Sequence, residues 1–135
     1  MDVHAPPLIL IADDEQTIRD LTTRMIARSG YSVLTASSGF EAIALVRQHA
    51  AAISCVLLDI SMPQPPDRTT LQAIHQICPG LAVIVMSGYN AQAVQQHTAG
   101  ETIDGFIQKP FTLTDLRAAL SPLLAPRQQP PASES

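Results

Sequence analysis

The chain contains one lysine, Lys109, directly before Pro110, while its other strongly basic side chains are arginines. Lysine presents a compact ammonium on a flexible stem, suited to a single phosphoryl oxygen, whereas arginine presents a planar fork suited to bidentate pairing. The expected counterpart is an anion. Asp13 and Asp14 end the apolar run Leu8 to Ala12, and Asp59 ends the run Val56 to Leu58. Ser87 follows a third such run, Leu81 to Met86. Clustered carboxylates repel one another at low dielectric, so a site built from them calls for a cation beside the lysine. Their oxygen donors favour a hard ion, and Mg2+, which takes one or two carboxylates together with phosphate oxygens, fits better than calcium or zinc. A metal, an ammonium and a hydroxyl around a carboxylate are the parts phosphoryl transfer needs, with Asp59 as nucleophile.

Five short aliphatic runs alternating with helical patterns must position these groups, the signature of repeated βα units and a parallel sheet. The predicted strands are Leu8 to Ala12, Tyr31 to Thr35, Ile53 to Asp59, Leu81 to Met86 and Gly105 to Gln108. The third lacks alternation, as expected of a strand buried on both faces. Between the strands, Ile18, Leu21, Met25 and Ile26 recur at helical spacing before Gly30, placed as a left-handed cap. Ser38 and Glu41 form a capping-box pattern for a helix that buries Ala42, Ile43, Leu45 and Val46. A proline-rich loop from Met62 to Asp67 precedes a helix with Leu71, Ile74 and Ile77, stopped by Pro79 and Gly80. Ser87, Gly88 and Tyr89 are expected to open a loop before a weakly patterned helix from Ala91 to His97. The last helix starts near Thr112, buries Leu116, Leu120 and Leu123, and is kinked or ended by Pro122. In such a sheet ligands collect beyond the carboxyl ends of the strands, where Asp13, Asp14, Asp59, Ser87 and Lys109 all fall.

The 135 residues suit one domain, expected over 8–125, with an N-terminal extension over 1–7 and a disordered Pro/Gln/Ser tail over 126–135. A formal charge of -4 without a basic cluster argues against direct nucleic-acid binding. No apolar run approaches a membrane span, and no signal peptide is visible, so a cytoplasmic protein without membrane contact is expected. Cys55 and Cys78 lack metal or redox spacing and are read as small core residues; the four histidines are scattered.

Taken together, Asp13, Asp14 and Glu15, the Asp59, Met62, Pro63 segment, Ser87 with Gly88, and Lys109, Pro110, Phe111 resemble a response-regulator receiver domain of two-component signalling, over about Leu8 to Leu124. The resemblance implies a flavodoxin-like (CheY-like) α/β fold, a five-stranded parallel sheet of order 2-1-3-4-5 with helices on both faces. It implies that Asp59 accepts a phosphoryl group from the phosphohistidine of a histidine kinase or phosphotransfer protein. Asp14, Asp59 and the backbone carbonyl of Ser61 would bind magnesium directly, and Asp13 partly through water. Ser87 and Lys109 would contact the phosphoryl oxygens, Lys109 to Pro110 would be a cis peptide, and Ser87 with Phe106 would form the switch. Such a chain is a phosphoacceptor rather than an enzyme in the usual sense, promoting its own phosphorylation and dephosphorylation. It acts on a downstream effector or a fused kinase, as a monomer or weak dimer. The segment from strand four into Ser87, Gly88 and Tyr89 also resembles receivers of hybrid histidine kinases.

The chain departs from the family pattern at Asp67, where glycine is usual, with Pro65 and Pro66 before it. Phe106 stands in place of the commoner tyrosine, and Ser61 and Tyr89 occupy positions that flank the site. These departures keep a second reading open, a pseudo-receiver that binds partners without phosphorylation. Asp13 and Asp14 alone would read as helix-capping acids and Ser87 as a turn residue; the five positions together favour chemistry. A flavodoxin-type flavin site is disfavoured because Asp13, Asp14 and Glu15 would repel the cofactor phosphate.

Overall fold

A computed structural model describes residues 6–62, 67–88, 90, 92, 94, 98 and 101–124. Five strands, β1 (Leu8–Ala12), β2 (Ser32–Ala36), β3 (Ile53–Asp59), β4 (Ala82–Ser87) and β5 (Gly105–Gln108), form one parallel sheet in the order β2-β1-β3-β4-β5. The helices among the described residues are α1 (Gln16–Arg28), α2 (Gly39–His49), α3 (Asp67–Ile77) and α4 (Leu113–Leu124). The expected termini and the Ala91 to His97 helix fall largely outside the described residues, as do Pro63 to Pro66 and Tyr89.

The period of two along each strand sorts the aliphatic side chains into two cores. Leu10, Ala12, Val56, Leu58 and Val83 face one side, where they meet Ala42 and Val46 of α2 and Leu71 and Ile74 of α3. Ile9, Ile11, Cys55, Leu57, Ile84 and Met86 face the other, against Ile26 of α1 and Leu116, Leu120 and Leu124 of α4. Each fully buried side chain of this kind contributes about 1.5–3 kcal/mol. Residues on β1, β3 and β4 alternate between the two cores and meet helices on both, which explains why these strands read as continuous apolar runs.

Several expected boundaries shift. Strand two begins at Ser32 and ends at Ala36, one residue later than its pattern suggests. Ser87 is the last residue of β4, paired in register with Gln108, and not part of a loop. Asp67 opens α3 instead of closing the preceding loop. Pro122 lies inside α4, which continues to Leu124. Its ring is on the exposed side, and Leu116, Leu120 and Leu124, spaced four apart, hold the helix to the core; Leu123 is only partly buried. In α2, Ala42 and Val46 are buried as expected, while Ile43 and Leu45 are half-buried.

Capping fixes where the helices start. Ser38 accepts from the Glu41 amide at 3.0 Å, but the Glu41 carboxylate reaches back to Ser37, accepting from its amide at 2.7 Å and its hydroxyl at 3.0 Å. These bonds hold the Glu41 carboxyl below its ordinary value. At α4 the box closes on one residue pair: Thr112 N–H donates to Asp115 Oδ2 at 2.9 Å, and Asp115 N–H to Thr112 Oγ1 at 3.1 Å. Gly30, with φ of 92°, follows α1 in the left-handed conformation that a side chain would resist.

Candidate phosphoacceptor and metal site

The carboxyl edge of the sheet is pinned by backbone bonds that outlast the strands themselves. Asp13 N–H donates to Ala36 O at 3.0 Å, Ile60 N–H to Met86 O at 3.1 Å, and Lys109 N–H to Ser87 O at 2.7 Å. The side chains just beyond the strand ends therefore start from fixed positions. The Lys109 to Pro110 peptide is cis. At the other end of β5, Asp104 pairs with Val83 twice at 2.8 Å, once through its amide and once through its carboxylate, setting the register that delivers Lys109.

Lys109 Nζ donates to Asp13 Oδ2 at 2.9 Å and to Asp59 Oδ2 at 3.2 Å, with Glu15 Oε1 at 3.7 Å. Asp13 and Asp59 are 0% and 1% exposed, as buried as the aliphatic core, whereas Asp14 is exposed. Carboxylate oxygens of Asp13, Asp14 and Asp59 lie within 4.8 Å of one another. Three carboxylates and one ammonium leave a formal surplus of two negative charges, the balance a divalent cation would meet. All the acidic donors are hard oxygens, with no thiolate or imidazole in the cluster.

The electrostatics follow from this crowding. Burial raises the Asp13 carboxyl above its ordinary value, and the Asp59 charge adds to the rise, against the lowering hydrogen bonds from Lys109 and the Glu15 amide. Burial alone would push the Lys109 ammonium down; the bond to Asp13 and the charges of Asp59 and Asp13 outweigh it, and the net shift is upward. Cys55, inside the sheet, has its thiol pushed up to about 12 by burial, an inert core residue. Cys55 and Cys78 are both free.

Asp59 Oδ1 accepts from Ser61 twice, from the amide at 2.9 Å and from the hydroxyl at 2.6 Å. Asp13 Oδ1 accepts from the Glu15 amide at 2.9 Å, so Asp13 stabilises the turn into α1, whose N-cap residue is Glu15. Arg19 Nη1 donates to the Asp13 carbonyl at 2.8 Å. Ser87 is fully buried at the end of β4. Phe106 pairs in register with Val85 and packs half-buried against the cluster of Ile60, Val85 and Val94. Asp13, Asp14, Asp59 and Lys109 thus share one cluster, Ser61 joins it through Asp59, and Ser87 meets it through the backbone of Lys109. Glu15 and Arg19 are contributors that spacing alone does not single out. Beside Lys109, an apolar cleft of about 310 Å³ is lined by Ile18, Leu21, Pro110 and Phe111.

Residues 9–121 match the response regulator receiver domain. This chain belongs to that family. A receiver is a signalling module of two-component systems, and the five-stranded order β2-β1-β3-β4-β5 is that of its CheY-like relatives. The crystal structure of a CheY-like response regulator receiver domain protein from Methanospirillum hungatei JF-1 is 26% identical, with a TM-score of 0.82 over 92% of this chain and 98% of that one. A chain of the CheX-CheY-BeF3-Mg2+ complex from Borrelia burgdorferi is 25% identical, with a TM-score of 0.83 over 90% of this chain and 91% of that one. The sensor kinase CckA of Brucella abortus (strain 2308) is 28% identical over 123 residues, 91% of this chain and 13% of the kinase. The receiver spans about half the length of the other curated relatives it matches. Among the described residues no helix is long and apolar enough to cross a membrane.

Proposed function

We propose that this receiver, over residues 8–125, accepts a phosphoryl group on Asp59 from the phosphohistidine of a histidine kinase or phosphotransfer protein, in a Mg2+-dependent reaction. The observation that carries the reading is the buried Asp59 carboxylate, within 4.8 Å of two further acids and bonded to the only lysine. The donor set suits the ion: Asp14, Asp59 and the Ser61 carbonyl would hold magnesium, with Asp13 partly through water. When bound, the ion supplies positive charge to the phosphoryl oxygens.

The chain's own residues do the rest. An Asp59 oxygen attacks phosphorus; the O–P bond forms as the P–N bond breaks, and the electron pair returns to the donor imidazole. Lys109, fixed between Asp13 and Asp59, offsets charge on the transferring group. The Ser87 hydroxyl donates to a phosphoryl oxygen once transfer is complete, and Phe106 repacks with it as the switch. Asp13, raised by burial and by Asp59, relaxes as positive charge enters the cluster. The apolar cleft beside Lys109 offers a protein donor a surface next to the acceptor. The switched state regulates an effector or a fused kinase in the cytoplasm, and the chain acts as a phosphoacceptor, not as an enzyme on a separate substrate.

Beryllofluoride, a stable phosphoryl mimic, tests this directly, and the similar Borrelia chain comes from a complex that contains BeF3 and Mg2+. With Mg2+ present, beryllofluoride is expected to shift amide resonances around Ser87 and Phe106 in the parent and to leave Asp59→Asn unchanged. An equal response in both proteins would contradict the assignment.

A further inference from the structure

We infer that the Ser61 hydroxyl is a displaceable occupant of Asp59 Oδ1, competing with a divalent cation and setting how tightly the resting site binds it. The inference rests on the phosphoacceptor reading and goes beyond it to a residue that controls loading of the site. A carboxylate oxygen offers two in-plane lone pairs. On Asp59, Oδ1 already accepts from the Ser61 amide at 2.9 Å and from the Ser61 hydroxyl at 2.6 Å, while Oδ2 accepts from Lys109 at 3.2 Å. Asp13 accepts one donor at each oxygen, the Glu15 amide at Oδ1 and Lys109 at Oδ2, both at 2.9 Å. Of these four buried oxygens Asp59 Oδ1 is the one with both lone pairs taken, and a cation that uses it must displace a donor.

The donors differ in how readily they leave. The amides of Glu15 and Ser61 are held by the backbone of their turns and cannot swing away. Lys109 serves two acids at once, so its withdrawal exposes both. The Ser61 hydroxyl belongs to an exposed residue, turns about one bond and meets water when it leaves. Its short distance to Oδ1 lies in the range of a charge-assisted O–H donor, so the bond that must be broken has real weight. If it is removed, the Ser61 amide still holds the turn.

Magnesium titration of the unphosphorylated full chain, by calorimetry or amide shifts, separates the possibilities. Ser61→Ala is expected to bind Mg2+ roughly two- to tenfold more tightly than the parent, the range to which the net worth of one hydrogen bond converts. Ser61→Thr, which keeps the hydroxyl, is expected to match the parent, and without metal Ser61→Ala should melt roughly a few degrees below the other two, having lost that hydrogen bond. Equal or weaker binding by Ser61→Ala while the parent binds normally would overturn the inference and leave the phosphoacceptor reading standing. Tightening in Ser61→Thr equal to that in Ser61→Ala would overturn it as well, because the hydroxyl would not be the cause. No Mg2+ binding by the parent would overturn the phosphoacceptor reading and this inference together.

Discussion

Two neighbouring stretches of β3 are equally buried and chemically opposed. Leu57, fully excluded from solvent, sits between Ile11 and Ile84 in register and gains stability from the exclusion of water. Asp59, two residues later and 1% exposed, is charged and loses by the same exclusion. Lys109 offsets that loss for Asp59 and Asp13 at once, leaving the cluster short of positive charge. The middle of the sheet is thus built for stability, and its carboxyl edge holds a charge arrangement that stability alone would not favour. The proposed cation and phosphoryl site is a use that such an edge fits.

The contrast is broken or sharpened by substitutions of decreasing effect. Leu57→Ala should cost about 2–5 kcal/mol in urea unfolding, the usual penalty for emptying a core position. Asp59→Asn should cost far less, or stabilise; equal losses would erase the distinction between the two stretches. Lys109→Met should cost roughly 1–3 kcal/mol at neutral pH by leaving buried carboxylates without their donor. Because the folded ammonium titrates above its ordinary 10.5, its contribution is complete below that pH and is lost as pH climbs through the folded value. Stability curves of parent and Lys109→Met should therefore converge in alkali.

Asp13 gives a smaller signal of the same sign, at acid pH. Its folded value lies above the ordinary 3.8, so the native state keeps the proton to higher pH than the unfolded chain does. The resulting contribution falls as pH rises from 3.8 through the folded value and then levels. Asp13→Asn should lack that fall, which parallel melts across acid pH would reveal. Ser38→Ala, which removes the exposed cap of α2, should cost only about 0.5–2 kcal/mol and leave phosphoryl labelling untouched.

Much of this was legible in the residues. Aliphatic runs ending in Asp13, Asp59 and Lys109 announce strands whose last residues share an edge, because burial on both faces demands continuous apolar sequence while strand ends release it. The missed features depend on contacts between segments. Ser87 reads as a turn residue, yet its partner Gln108 extends β4 over it. Pro122 reads as a helix stop, yet its ring faces outward while leucines four apart anchor the last turns. The Ser61 hydroxyl on Asp59 and the Arg19 guanidinium on the Asp13 carbonyl are choices of side-chain direction that no spacing encodes.

The most direct measurement is labelling of the purified chain with a small-molecule phosphodonor, followed by intact mass and by site mapping. The parent should gain one phosphoryl group, only with Mg2+ and at Asp59, and Asp59→Asn should gain none. Equal labelling of both proteins, or labelling of the parent at the same rate after chelation of divalent ions, would contradict a magnesium-dependent acyl phosphate on Asp59.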